Sequence, residues 1–207
     1  MGRIQRFFRQ GGRFDTIFGT VADLIVLNAI TLLCSLPVIT AGAALTAMYA
    51  GVFRLREGTE GSLWRDYLRD FKSNFRQSTA IWLLGLAVLA MLWADLRIFA
   101  GITEFAFLLQ VITCAAAIMI YLTLLYALAL QARFINPVKA TLKNALLLWA
   151  SLPHYACAIG GVTALPFVVA GWFPLILGVY ILLGVSGCGW ICVPWFRKVF
   201  ARVRVKP

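Results

Sequence analysis

Three polar side chains, Asp23, Asn28 and Thr31, stand in a stretch from residue 17 to residue 53 where Asp23 is the only charge. With Thr20 and Ser35 they fall, at 100° per residue, within an arc of about 140° on one helix. A carboxylate in lipid is costly and is expected to face the interior of a bundle or a water-filled path. Further along, Gln110, Thr113 and Tyr121 share a helix face, and His154 lies beside Pro153 with Ser151 and Tyr155. Asp23, Asn28, Thr31, Gln110, Tyr121 and His154 are therefore the candidates for a polar path through a membrane. The same side chains could instead make interhelical hydrogen bonds, worth about 0.6 kcal/mol each on average.

No enzyme signature accompanies them. The chain has one histidine, so a His-rich metal site is excluded. Its five cysteines, Cys34, Cys114, Cys157, Cys188 and Cys192, all lie in apolar stretches, and the odd number argues against a disulfide framework. Cys188 and Cys192 are four apart on one helix face, but a soft metal would need further ligands. A nucleotide-binding glycine loop ending in Lys and Ser or Thr is absent, and no serine sits between elbow glycines. The expectation is a non-enzymatic protein with no metal and no cofactor.

The elements that must position these residues are helices in lipid. Of 207 residues, 62% are hydrophobic and 13% charged, against about 45–50% and 25% in soluble domains. The net charge of +11 raises the question of nucleic acid. The basic residues, however, lie in short clusters between apolar runs, as in the cytoplasmic loops of membrane proteins. Nucleic acid is not an expected partner. A span needs about 20 apolar residues. Residues 78–99 and 104–132 qualify, and residues 144–196 carry no Asp, Glu, Lys or Arg, enough for two spans, 142–163 and 173–196. Pro153 should kink the first of these, and Pro174 suits the first turn of the second.

The opening run, residues 17–53, fits one tilted span or two, 17–36 and 38–56, turning at Pro37. Proline lacks an amide hydrogen and clashes with the preceding turn. Lys and Arg favour the cytosol. Turning at Pro37 leaves 18 of the basic residues inside and only Arg97 outside; a single crossing gives 14 against 5. A re-entrant hairpin gives the same count as the turn. "AGA" at Ala41–Ala43 also resembles a signal-peptide cleavage site, but cleavage would put the six basic residues of the Arg54–Arg76 loop outside. The expected threading has both termini cytoplasmic. "SLPVITAG" at 35–42 echoes "ALPFVVAG" at 164–171, so Pro37 with Gly42 and Pro166 with Gly171 are read as matching outer turns. Ala43, Ala47 and Gly51, four apart, make a face for close helix packing.

Residues 62–77 read as a separate amphipathic helix. Trp64, Tyr67, Phe71 and Phe75 recur at helical spacing, with Arg65, Arg69 and Arg76 mostly on the other side. Aromatic rings suit the headgroup level and arginines suit anionic lipid. The helix is read as interfacial, packing on the bundle or docking a partner protein. The N-terminal "RIQRFFRQGGRF", with Phe7 and Phe8, is read as a second interfacial piece.

"ADLIVLNAITLLCSLPVITAGAALTAMYAGVFRL" followed by "FKSNFRQSTAIWLL" resembles the YesL-like family of bacterial membrane proteins, a domain of unknown function. Matching positions include Asp23, Asn28, Leu36, Pro37, Gly42, Tyr49, Phe71, Asn74, Phe75 and Trp82. The resemblance implies an integral protein of the bacterial plasma membrane, often encoded beside carbohydrate uptake and breakdown systems. The expectation is an all-α, polytopic membrane bundle of about six membrane segments plus a cytoplasmic interfacial helix. Its partners would be anionic lipid and a carbohydrate transporter subunit; the alternative is a small-solute channel or carrier.

Overall fold

A computed structural model describes residues 13–59, 61–99, 106–134, 136–171, 178 and 180–201. The N-terminal piece with Phe7 and Phe8, the turn expected at Pro174 and the tail beyond Ala201 lie outside the described residues. All elements are helical: α1 (Arg13–Ser35), a 3-10 turn (Val38–Thr40), α2 (Ala41–Glu57), α3 (Leu63–Phe99), α4 (Ala106–Gln131), α5 (Val138–Ser151), α6 (Pro153–Ala170), a π turn (Tyr180–Gly184) and α7 (Val185–Ala201). Among the described residues, α1, α2 (with the 3-10 turn before it), α3 and α4 are each long and apolar enough to cross a membrane. The pair α5–α6 makes a fifth if it counts as one span. This is the build of a membrane protein.

The chain turns at Pro37. The helix ahead of it stops at Ser35, and the Thr40 hydroxyl closes the turn on the carbonyls of Cys34 (2.6 Å) and Pro37 (2.8 Å). The Trp82 indole N–H of α3 donates to the Val38 carbonyl at 2.8 Å, fixing the turn against the bundle. The second helix then runs through the centre. Ala43, Ala47 and Gly51 are buried, and the face they form packs at close range. It ends at Gly58, whose φ of +65° is a left-handed cap suited to glycine. At Gly42 a Cβ would overlap the Trp82 side chain and the Ser78 carbonyl oxygen. Gly42→Ala is therefore expected to cost about 1–3 kcal/mol. Gly161→Ala, where nothing lies within 4 Å, should stay within about 0.5 kcal/mol of wild type. Unfolding of both variants in mixed micelles measures the difference.

Two expected elements differ. The amphipathic segment 62–77 is not a separate helix: it continues without a break into 78–99 as the 37-residue α3. Hydropathy changes near Ser78, but no glycine or proline interrupts the backbone there. Asn74 instead bonds back to the Asp70 carbonyl at 3.1 Å, and the Gln77 side chain meets Gln131 of α4. At 1.5 Å per residue α3 is about 55 Å long, well beyond the ~30 Å apolar core of a bilayer. Segment 142–163 is broken more sharply than a kink at Pro153 implies. α5 and α6 are bent by 106°. Pro153 supplies no amide hydrogen, and Leu152 leaves helical geometry at φ −136°, ψ 67°.

The proposed echo between the two proline motifs also fails. Pro37 ends a helix, but Pro166 lies inside α6, and only Gly171 follows its end in a turn. A proline within a helix frees the carbonyl four residues back, which in lipid needs a new partner. For Pro166 that carbonyl belongs to Val162, and the Cys188 thiol of α7 donates to it at 3.5 Å. For Pro194 inside α7 it belongs to Trp190, and the Arg56 guanidinium of α2 donates to it at 2.8 Å. Both interior prolines are thus served by a side chain from another helix. The end of the bundle that holds Arg56 is filled by rings from α2, α4 and α7: Tyr126 and Tyr49 meet Phe196 edge-on at 5.2 and 5.7 Å.

Candidate functional site

On α1, Thr20, Asp23, Leu27, Thr31 and Ser35 recur every three or four residues, so they share one face. That face looks onto α2, and two cavities open along the seam. One, of about 410 Å³, lies towards the Pro37 end and is lined by Thr31, Ser35, Trp82, Tyr121, Thr163 and Cys188 among apolar residues such as Leu45, Met48 and Leu125. The other, of about 390 Å³, lies towards Gly58 and is lined by Thr20, Asp23, Gly51, Arg54 and Asp66. Charge in the second is largely paired at its rim. Arg54 meets Asp70 at 2.5 Å, and Asp66 meets Arg69 at 2.9 Å.

Leu27 separates the two cavities. It is fully buried, and a Cβ on Gly51 would stand 3.0 Å from its Cδ1. α1 and α2 meet there with no room for water between side chain and backbone.

Asn28, next to Leu27, is buried and lines neither cavity. Its Oδ1 accepts the backbone N–H of Val185 (3.0 Å) and of Ser186 (3.1 Å). Those amides lie where the π turn passes into α7 and the hydrogen-bond register changes, so they need an outside acceptor. The Ser186 hydroxyl returns a bond to the Leu24 carbonyl at 2.8 Å. Asn28 and Ser186 together clamp α1 to α7.

The hydroxyls of the larger cavity are also engaged. Thr31 donates to the Leu27 carbonyl at 2.7 Å and Ser35 to the Thr31 carbonyl at 2.7 Å. Thr163 donates to the Ile159 carbonyl at 2.8 Å. Since that proton is used, the 2.7 Å contact between Tyr121 and Thr163 has the tyrosine as donor. The Cys188 thiol is directed at Val162. The cavity therefore offers acceptors and apolar surface, and its hydroxyl protons are already taken.

Of the six residues expected along a polar path, the structure brings Thr31 and Tyr121 into one cavity and Asp23 into the other. Asn28 is a clamp. Gln110 is half-buried near the start of α4 and lines neither cavity. His154 is exposed, its ring against Tyr155 at 4.3 Å; the bend at Pro153 carries it off the seam. The aromatic edge of α3 splits in the same way. Tyr67 is fully buried, its hydroxyl donating to the Ala44 carbonyl at 3.3 Å, and Phe71 is half-buried and stacked on Tyr67. Those two rings turn into the bundle rather than to a headgroup layer, because α2 lies across that face of α3. Trp64 and Phe75 remain exposed with Arg65, Lys72 and Arg76, while Arg69 pairs with Asp66. Arg97, at the other end of α3, lies over the Trp93 ring at 4.9 Å.

Sequence reasoning passed over Thr163, Ser186 and Arg56. Thr163 and Ser186 sit in the long uncharged stretch, where a lone hydroxyl has no periodic signal. Arg56 read as a loop charge. The one available clue was Pro194, since an interior proline implies a carbonyl in need of a donor.

A family model described as "Protein of unknown function, DUF624" matches residues 24–96, which cover the second half of α1, the Pro37 turn, α2 and most of α3. Comparisons with curated proteins and with solved structures give no match.

Proposed function

We propose that this chain is a YesL-like, non-enzymatic protein of the bacterial plasma membrane that serves as a partner of a carbohydrate uptake or sensing system. Its termini and the Arg54–Arg76 region face the cytosol, because that threading keeps basic residues inside. The observation that carries the reading is the state of the larger cavity. A sugar is recognised by several donors and acceptors at once, yet here the protons of Thr31, Ser35, Tyr121 and Thr163 are bound within the protein. The seam is closed by Leu27 besides. What stays exposed is the outer face of the first half of α3, where Trp64 and Phe75, the latter edge-on to Phe71, stand among Arg65, Lys72 and Arg76. Aromatic and arginine side chains dominate the energy of protein interfaces. The carbohydrate link rests on the family resemblance.

The test is co-purification from native membranes in mild detergent. Transporter subunits are expected with the wild type. They should be lost when Trp64 and Phe75 become alanine, with stability changed by no more than about 0.5 kcal/mol, as for exposed positions. Recovery of the chain alone from wild-type membranes counts against the proposal.

A second reading, a small-solute carrier, is favoured by one fact: two cavities lie along the same face of α1, with buried Leu27 between the turns that line them. Wild-type protein in liposomes is expected to move no sugar. Solute flux that rises in Leu27→Ala and disappears in Asp23→Asn would establish the carrier in place of the partner.

A further inference from the structure

At the basic end of the bundle, Arg133, Phe134, Arg197, Phe200 and Ala201 enclose a pocket of about 180 Å³. Phe134 and Phe200 form an edge-to-face floor with centroids 6.0 Å apart. Arg133 is held in place by Glu57 at 2.8 Å and by the Phe53 ring at 5.0 Å. Arg56 is fixed nearby over Trp190 at 4.2 Å by its bond to the Trp190 carbonyl, within electrostatic range of Arg197. Among the described residues, these three guanidinium groups share one carboxylate, Glu57; Arg56 and Arg197 have no acidic partner. Arg54, by contrast, is directed to Asp70 on the far side of α2.

Such a constellation has charge to spare, and two of its three guanidinium groups, those of Arg133 and Arg56, are held in place. Guanidinium groups bind phosphate oxygens in pairs, and a basic pocket between helices at a membrane surface suits an anionic headgroup. The aromatic floor suits the esterified side of the ligand better than free inorganic phosphate would need. We propose that the Arg133–Arg197 pocket binds a phosphate ester, with its oxygens between the two guanidinium groups and its ester carbon chain over Phe134 and Phe200. This does not rest on the partner reading.

Two sources carry that chemistry, a phospholipid headgroup and a soluble phosphate ester. The full chain in detergent micelles is titrated with phosphatidylglycerol, with phosphatidylcholine and with glycerol 3-phosphate. Bound ligand is read by native mass spectrometry and by the thermal midpoint. Phosphatidylglycerol is expected to bind wild type and to bind Arg197→Gln about tenfold more weakly, the size of one charged hydrogen bond lost. Arg197→Lys, which keeps the charge but not the fork, should fall between them. Arg97→Gln, at the opposite end of the helices, should match wild type. Glycerol 3-phosphate binding that is lost in Arg197→Gln assigns the same pocket to a soluble ester. Equal binding of both phosphate esters to wild type, Arg197→Gln and Arg197→Lys overturns the proposal, as does equal binding of phosphatidylcholine and phosphatidylglycerol with no dependence on Arg197.

Discussion

Asn28→Leu is expected to destabilise the protein by about 3 kcal/mol, because two fixed backbone donors lose a buried acceptor at once. Leucine has the same number of side-chain heavy atoms and the same branching as asparagine, so the change removes the acceptor while keeping the shape. The average membrane hydrogen bond is worth only about 0.6 kcal/mol, since the groups left behind usually find other partners. That escape is closed here. The amides of Val185 and Ser186 belong to the start of α7, and Asn28 reaches them from a fully buried position. Ser186→Ala removes only the bond to the Leu24 carbonyl and should cost about 1 kcal/mol. Unfolding in mixed micelles gives the free energies, and hydrogen exchange at Val185 and Ser186 gives the site. A loss below about 1 kcal/mol for Asn28→Leu would mean that α7 does not depend on the clamp.

Arg56→Met should destabilise the protein by about 2–3 kcal/mol, through loss of a charged hydrogen bond and exposure of an unpaired carbonyl. The reason lies in another helix. Pro194 deprives the Trp190 carbonyl of its amide partner, and Arg56 supplies the replacement from α2. Replacing that proline supplies it differently. Pro194→Ala restores an amide at the position from which Trp190 can accept, so in the Arg56→Met background it should recover about half the loss. In the wild-type background the same change should be nearly neutral, because the carbonyl is already engaged. The double-mutant cycle should show a coupling of about 1–2 kcal/mol. Strict additivity would sink the explanation and leave Arg56 as a surface charge stacked on Trp190.

What depends on the composition of a single segment can be read without any tertiary contact. The lengths and hydropathy of residues 17–36, 38–56, 78–99 and 104–132 place helices that the structure also has, because an apolar stretch in lipid must satisfy its own backbone. Pro37 marks the end of α1, where the missing amide hydrogen and the steric clash with the preceding turn are met by a turn rather than by a continuing helix. The spacing of Ala43, Ala47 and Gly51 points to a helix that must be approached closely, and α2 is the buried centre of the bundle. Tertiary structure alone decided which polar side chain meets which partner. Asn28 meets α7 from 157 residues away and Arg56 meets Trp190 from 134; neither pairing leaves a repeat in the sequence. The same polar stripe on α1 therefore divides three ways, into two cavities and a clamp, according to what stands opposite each turn. Proline shows the contrast most plainly. Pro37 ends a helix and Pro166 lies within one, where a thiol on α7 reaches the carbonyl that Pro166 frees; only the packed bundle can provide such a neighbour.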